Sequence, residues 1–136
     1  MIVKVKSEPP QQLCPGIHVS LSAEDLEANG LYLVYGVLVY PGGVSFYLCA
    51  RRSDPCPYPF AGFMFEFVQT IIPSGWRMGR HVRRFARGDE YFMGPAMWAQ
   101  DETFYERLVD GDGAAEMAFK VYAEELRMTT DHEFIA

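Results

Sequence analysis

Reactive chemistry in this chain would have to come from a short set of side chains: Cys14, Cys49 and Cys56, His18 and His81, Glu66, and the arginines Arg77, Arg80, Arg83, Arg84 and Arg87. A cysteine nucleophile needs a lowered thiol pKa, which a nearby imidazole or a helix N-terminus supplies. Cys49 ends an apolar run, where desolvation acts the other way. Cys56, between Pro55 and Pro57 and a few residues from Arg51 and Arg52, is the better candidate. A zinc site would draw on Cys49, Cys56 and His81, with Cys14 and His18 as spares. Neither a C-x-x-C pair nor an H-x-x-x-H spacing is present, so buried thiols and a surface imidazole are expected, and no metal or other cofactor. The stretch from Asp110 to Gly113 alternates acid and glycine in the manner of a calcium loop, but Ala114 and Ala115 stand where that pattern needs Asp or Asn and then Gly. A turn between two helices, with a glycine stop and an aspartate cap, accounts for the same four residues.

Glu66 is the one acid flanked by aromatic residues, Phe65 and Phe67. Buried, it would be a general acid with a raised pKa and Arg77 or Arg80 as its partner. The plainer expectation is that it faces water or pairs with an arginine across a sheet. Residues 76–87 hold five of the twelve basic residues, and Arg77, Arg80, His81, Arg83 and Arg84 resemble an anion- or RNA-binding strip. The rest of the chain opposes that reading. Residues 1–88 carry nine bases against six acids, net +3, whereas residues 89–136 carry three bases against twelve acids, net −9. An acidic surface repels phosphate backbones and attracts basic partners, so nucleic-acid binding is disfavoured and the strip is expected to pair within the chain or across a homodimer.

These side chains need a scaffold, and 136 residues that are 49% hydrophobic and 15% aromatic suffice for a single domain over residues 1–136. The balance of charged and apolar residues excludes a disordered tail, a collagen-like rod and a coiled coil, and no run of 18 apolar residues would span a membrane. An odd number of cysteines and an amino terminus without an export signal lead us to expect cytoplasmic residence.

Residues 2–6 read as a short strand, and a second is expected from Ile17 to Leu21, followed by the polar start of a helical turn at Ser22. The strongest pattern is the run from Leu31 to Tyr40, then Pro41, Gly42 and Gly43, then the run from Val44 to Ala50. Two runs rich in β-branched and aromatic residues around a Pro-Gly-Gly turn predict a β-hairpin. The first run is apolar on both faces, which predicts a covered central strand, with Gly36 marking a bulge or the close approach of another backbone. A Pro-rich loop over 54–59 leads to a strand at 63–68 with Phe63, Phe65 and Phe67 on its core face. Residues 76–87 fit either a strand, with Trp76, Met78 and Val82 inward, or a helix striped by Met78, Val82 and Phe85. Gly75 and Gly79 favour the strand. Beyond Asp101 the period becomes helical, with Asp101 and Asp112 as candidate N-caps. The second helix should run to about Arg127 on an inner stripe of Ala115, Ala118, Phe119, Tyr122 and Leu126. The expected architecture is α+β: a curved antiparallel sheet of about five strands with two C-terminal helices packed on it.

The residues Val34–Leu38, Gly42–Cys49, Tyr58–Pro59, Phe65–Val68, Tyr91–Gly94 and Phe104–Asp112 together resemble a group of small uncharacterised bacterial proteins. That resemblance covers roughly Leu31 to Leu126 and implies an immunity-type role against a bacterial toxin. The residues themselves point to a non-enzymatic binding protein. Glu102, Glu106 and Glu116 would steer a basic toxin domain, and Trp98 and Tyr105, with Tyr58 and Tyr91, would serve as exposed aromatic contacts. Two alternatives stay open: a small enzyme or ligand-binding domain with a pocket near Cys56, Glu66 and His81, and a structural homodimer that sets the arginine strip of one copy against the acidic helices of the other.

Overall fold

Pro41 and Gly42 form the two-residue loop of a hairpin, and Tyr40 pairs with Gly43 directly across it. Gly43 has φ +146°, a backbone angle closed to residues with a Cβ, and this is why the turn ends on glycine. The hairpin strands are Gly36–Tyr40 and Gly43–Leu48. Our computed structural model describes residues 1–7, 25–81 and 88–136. The expected strand at 17–21, the helical start at Ser22, and the residues Cys14, His18, Val82, Arg83, Arg84, Phe85 and Arg87 lie outside the described residues.

In chain order the strands are β1 (Ile2–Val5), β2 (Leu31–Leu33), β3 (Gly36–Tyr40), β4 (Gly43–Leu48), β5 (Tyr58–Ala61), β6 (Phe65–Gln69), β7 (Trp76–His81) and β8 (Glu90–Pro95). The helices α1 (Ala96–Ala99), α2 (Phe104–Val109) and α3 (Gly113–Met128) follow. The fold is α+β, as the sequence leads one to expect. Its five-stranded antiparallel sheet has the order β5-β4-β3-β8-β7, and a second sheet of three strands has the order β2-β1-β6.

The run from Leu31 to Tyr40 is not one strand. It leaves the small sheet at Leu33 and enters the large one at Gly36. Across the bend, the Val34 amide donates to the Met1 carbonyl (3.2 Å) and the Tyr35 amide to the Tyr47 carbonyl (2.9 Å). Serving two sheets is what makes both its faces apolar: Tyr32, Leu33, Val34, Tyr35, Val37 and Leu38 are all buried. The sheets meet through edge-to-face rings, Phe46 against Phe65 (5.9 Å) and Phe67 (5.5 Å).

The expected core face of Phe63, Phe65 and Phe67 holds only in part. Phe63 lies in a 3-10 turn before β6, and Phe67 is 53% exposed because β6 ends the three-stranded sheet. Asp112 caps α3, its Oδ1 accepting from the Ala115 amide (2.9 Å), and Ala115, Phe119, Ala123 and Leu126 form the buried stripe. Tyr122 ties α3 to the sheets, accepting from Trp76 Nε1 (2.9 Å) and donating to the Tyr35 carbonyl (3.1 Å).

Residues 76–81 form the strand favoured by the sequence, but the inward face differs. Trp76 is buried whereas Met78 is 63% exposed. The reason is topological: β7 is the last strand of its sheet, and α1 turns straight back from β8 over the face that carries Gly79. A Cβ built on Gly79 would lie 1.9 Å from the Ala99 carbonyl oxygen, so only glycine permits this approach.

Candidate functional site

The strand register decides which side chains meet under α1 and α2. Gly36 pairs with Tyr47, Leu38 with Phe92, Gly79 with Phe92 and His81 with Glu90, so Leu38, Tyr47, Phe92 and His81 share one face of the large sheet. Phe92 can lie flat on that face because Gly36 and Gly94 carry no side chain: a Cβ on either would come within 2.6 Å of the ring. Gly36 does mark a close approach, though of a ring and not of a backbone.

On this seat four rings stack in sequence. The His81 and Phe92 centroids are 5.4 Å apart with planes 20° from parallel, Phe92 and Trp98 are 4.3 Å apart at 21°, and Trp98 and Tyr105 are 5.3 Å apart at 1°. Tyr47 meets Phe92, Trp98 and Tyr105 edge to face, with centroid distances from 4.8 to 5.7 Å. Both ends of the stack are anchored. His81 Nε2 lies 3.0 Å from the Ala99 carbonyl, which can only accept, so this nitrogen carries a proton; the Tyr105 hydroxyl donates to the Pro57 carbonyl (3.0 Å).

A cavity of about 60 Å³ opens beside the stack, lined by Leu38, Tyr47, His81, Phe92, Trp98, Tyr105, Glu102 and Glu106. Sites for drug-sized ligands run to about 300–1,000 Å³, so this one has room for the tip of a single side chain. Its acidic wall is held by Asp101. Asp101 Oδ1 accepts from the Thr103 amide (3.0 Å) and hydroxyl (2.7 Å), while Oδ2 accepts from Arg107 Nη2 (2.7 Å). Those two Thr103 bonds, with Arg107 adding to them, hold the Asp101 carboxyl below its ordinary pKa. The result is a fixed turn between α1 and α2 that sets Glu102 and Glu106 on the same side.

The expected site residues separate into three groups. Glu102, Glu106, Trp98 and Tyr105 do converge, and His81 joins them from the arginine strip. Trp98 is not an exposed contact, however. It is 1% exposed, with Phe92 and Tyr105 covering its two faces, and it forms wall instead of projecting. Tyr105 is likewise half-buried with its hydroxyl engaged, whereas Tyr58 and Tyr91 are exposed. Glu116 stands in the first turn of α3, outside the cavity lining.

Of the strip, Arg77 donates to the Trp76 carbonyl and Arg80 pairs within the chain with Asp89, just before β8. Arg83 and Arg84 lie outside the described residues. The sequence did not single out Glu90, a buried acid opposite His81 in the β7–β8 register. The alternation of Glu90, Phe92 and Gly94 along β8 was the available signal.

Cys56, Glu66 and His81 are not brought together. Cys56 precedes β5 and His81 ends β7, the two edge strands of the large sheet, while Glu66 belongs to the other sheet. Glu66 is exposed and paired with Lys4 Nζ at 2.7 Å, and its bond to Lys4 lowers its pKa, the reverse of what a general acid needs. The pair crosses the sheet as expected, with lysine in place of arginine. Burial pushes the Cys56 thiol up, and the Cys49 thiol up to about 12. Among the described residues no group of three or more His, Cys, Asp and Glu could hold a metal ion, and no helix is long and apolar enough to cross a membrane.

No family model, curated protein or solved structure matches this chain. The cavity and its surroundings carry the functional argument.

The buried acids of this region fix an alkaline limit on stability. Burial raises Cys49 from 9.0 to about 12 and Tyr35 from 10.0 to about 12, and it raises Tyr105 and Tyr122 as well. The folded protein therefore holds the neutral forms. This contribution is complete below about pH 9 and is lost as pH rises through the folded values. Thermal midpoints measured at about pH 7.5, about pH 9 and about pH 10.5 should fall only over the last interval, and an unchanged midpoint there would show that these groups ionise freely in the fold.

Proposed function

We propose that this chain is a non-enzymatic protein-binding module of immunity type, which occludes a basic toxin domain through the acidic face around the α1–α2 pocket. One observation carries the reading: Glu102 and Glu106, from the segment with net charge −9, share the mouth of a cavity whose walls are stacked rings held at both ends. A rigid apolar wall needs little ordering on binding, and exposed carboxylates beside it raise the encounter rate with a basic surface. Asp110, Glu124, Glu125, Asp131 and Glu133 are also exposed, and they extend the negative field over the C-terminal third.

The test begins with the protein that copurifies with the tagged chain from its native cell, identified by mass. Its association rate should fall about tenfold between about 50 mM and about 500 mM NaCl, and by a similar factor when Glu102, Glu106 and Glu116 are changed together to lysine. Co-expression of a cognate toxin with this chain should restore growth. A rate indifferent to salt and to the three reversals would refute the acidic docking face.

A further inference from the structure

We infer that the outer face of α3 pairs with α3 of a second copy of this chain, the two helices running parallel about a twofold axis. This surface is separate from the acidic pocket and does not depend on it. α3 turns Ala115, Phe119, Ala123 and Leu126 toward the core. On its opposite side Ala114, Met117, Val121, Glu124 and Met128 recur in alternating steps of three and four residues, the spacing of the seam in a two-stranded coiled coil. All five are exposed, Met128 by 86%. One apolar stripe is enough to hold a surface helix on its domain, so this second stripe, four of whose five residues are apolar, is surplus to the fold.

Charge selects the occupant. Two copies of net charge −6 repel each other and approach at least cost where bases accompany the acids. Of the three bases in residues 89–136, Lys120 and Arg127 lie on α3, against the acids Glu116, Glu124 and Glu125. Lys120 borders the seam on one flank and Glu125 on the other, five positions on, the offset at which flanking residues of two parallel strands meet. A twofold axis therefore forms the pair between Lys120 of one copy and Glu125 of the other twice. Antiparallel helices would set Lys120 against Lys120 and Glu125 against Glu125, which fixes the orientation. Among the described residues neither Lys120 nor Glu125 is engaged in an ion pair, so no bond must break first. Glu124 is the one charged residue in the seam, and Lys120, four positions before it on the same helix, offsets its charge. The 16 residues of α3 span about 24 Å, a short contact, and the dissociation constant should be on the order of 100 μM.

Analytical ultracentrifugation of the full chain from about 10 μM to about 1 mM should show the average mass rising from one chain toward two. Val121→Glu should weaken this association at least about tenfold, because it places a second charge in the seam. K120E and E125K should each weaken it at least about fivefold, and the K120E/E125K double variant, which exchanges the charges within each copy, should recover to within about twofold of the original. All three positions are exposed, so the thermal midpoints should stay close to that of the unaltered chain and show that the fold is kept. A chain that remains monomeric at about 1 mM overturns the assignment, and protection of Met117 and Val121 by a different protein would then give the seam to that protein. Dimers indifferent to Val121→Glu lie on another surface. A double variant as weak as the single ones, or single variants without effect, would refute the parallel pairing of Lys120 with Glu125.

Discussion

Replacing Trp98 with alanine should lower the unfolding free energy by about 4 kcal/mol, the middle of the range for deleting a large buried aromatic ring. Trp98 is 1% exposed and is the residue most other rings of the site touch: Phe92 and Tyr105 cover its faces, Tyr47 meets it edge to face, and Phe104 lies 5.9 Å away. Each contact is worth something beyond the buried area, and the two rings on its faces cannot move in to fill the space without leaving an anchor of their own. Tyr105 is held at Pro57, and Phe92 is seated on Gly36 and Gly94. A domain of this size has about 5–15 kcal/mol to lose, so the substitution should remove between about a quarter and most of its stability. Urea unfolding followed by far-UV circular dichroism measures the difference. Trp98→Phe should recover roughly half of it, because a smaller ring still fills the stack. A loss below about 1.5 kcal/mol for Trp98→Ala would mean that the site collapses freely and that the wall is not rigid.

Gly79→Ala should cost about 3 kcal/mol or more, a large effect for one added methyl group. The new carbon would lie 1.9 Å from the Ala99 carbonyl oxygen, and neither partner is the flexible end of a side chain. Either β7 must leave the sheet edge or α1 must lift, and both movements break the bond between His81 Nε2 and the same carbonyl. Loss of stability should therefore come with a change in the His81 ring environment, visible in its NMR signals. Gly75 supplies the control, since a Cβ there meets nothing within 4 Å and the change to alanine should be neutral or stabilising by up to about 1 kcal/mol. Equal effects at the two glycines would contradict the close approach of α1 to β7.

What the sequence made legible was local chemistry repeated over several residues. The hairpin around Pro41 and Gly42 announced itself through turn residues between two β-rich runs, and α3 through a five-residue inner stripe behind Asp112. The ordinary role of Glu66 followed from its alternation with Phe65 and Phe67, which left it on the solvent side. Other features were hidden for physical reasons. α1 is four residues long, too short to show a period, so nothing in the sequence around Trp98 revealed that the ring points into the sheet. The division of residues 31–40 between two sheets is invisible in a run whose every residue suits a core. Met78 looked internal by alternation, but which face of β7 is covered depends on where α1 returns, a tertiary fact. The acidic residues Glu102 and Glu106 were legible as a charged segment, whereas their meeting with Tyr47, Phe92 and His81 draws on β4, β8 and β7 and needed the register.

The most direct measurement is the amide hydrogen-exchange footprint of the captured partner on this chain. If docking is centred on the acidic pocket, binding should slow exchange in residues 98–109 and at the His81 end of β7, and leave the exposed segment around Ile71 and Ile72 unchanged. Slowing confined to that apolar segment, with residues 98–109 exchanging at the free rate, would place the partner on another surface and contradict the proposed role of the pocket.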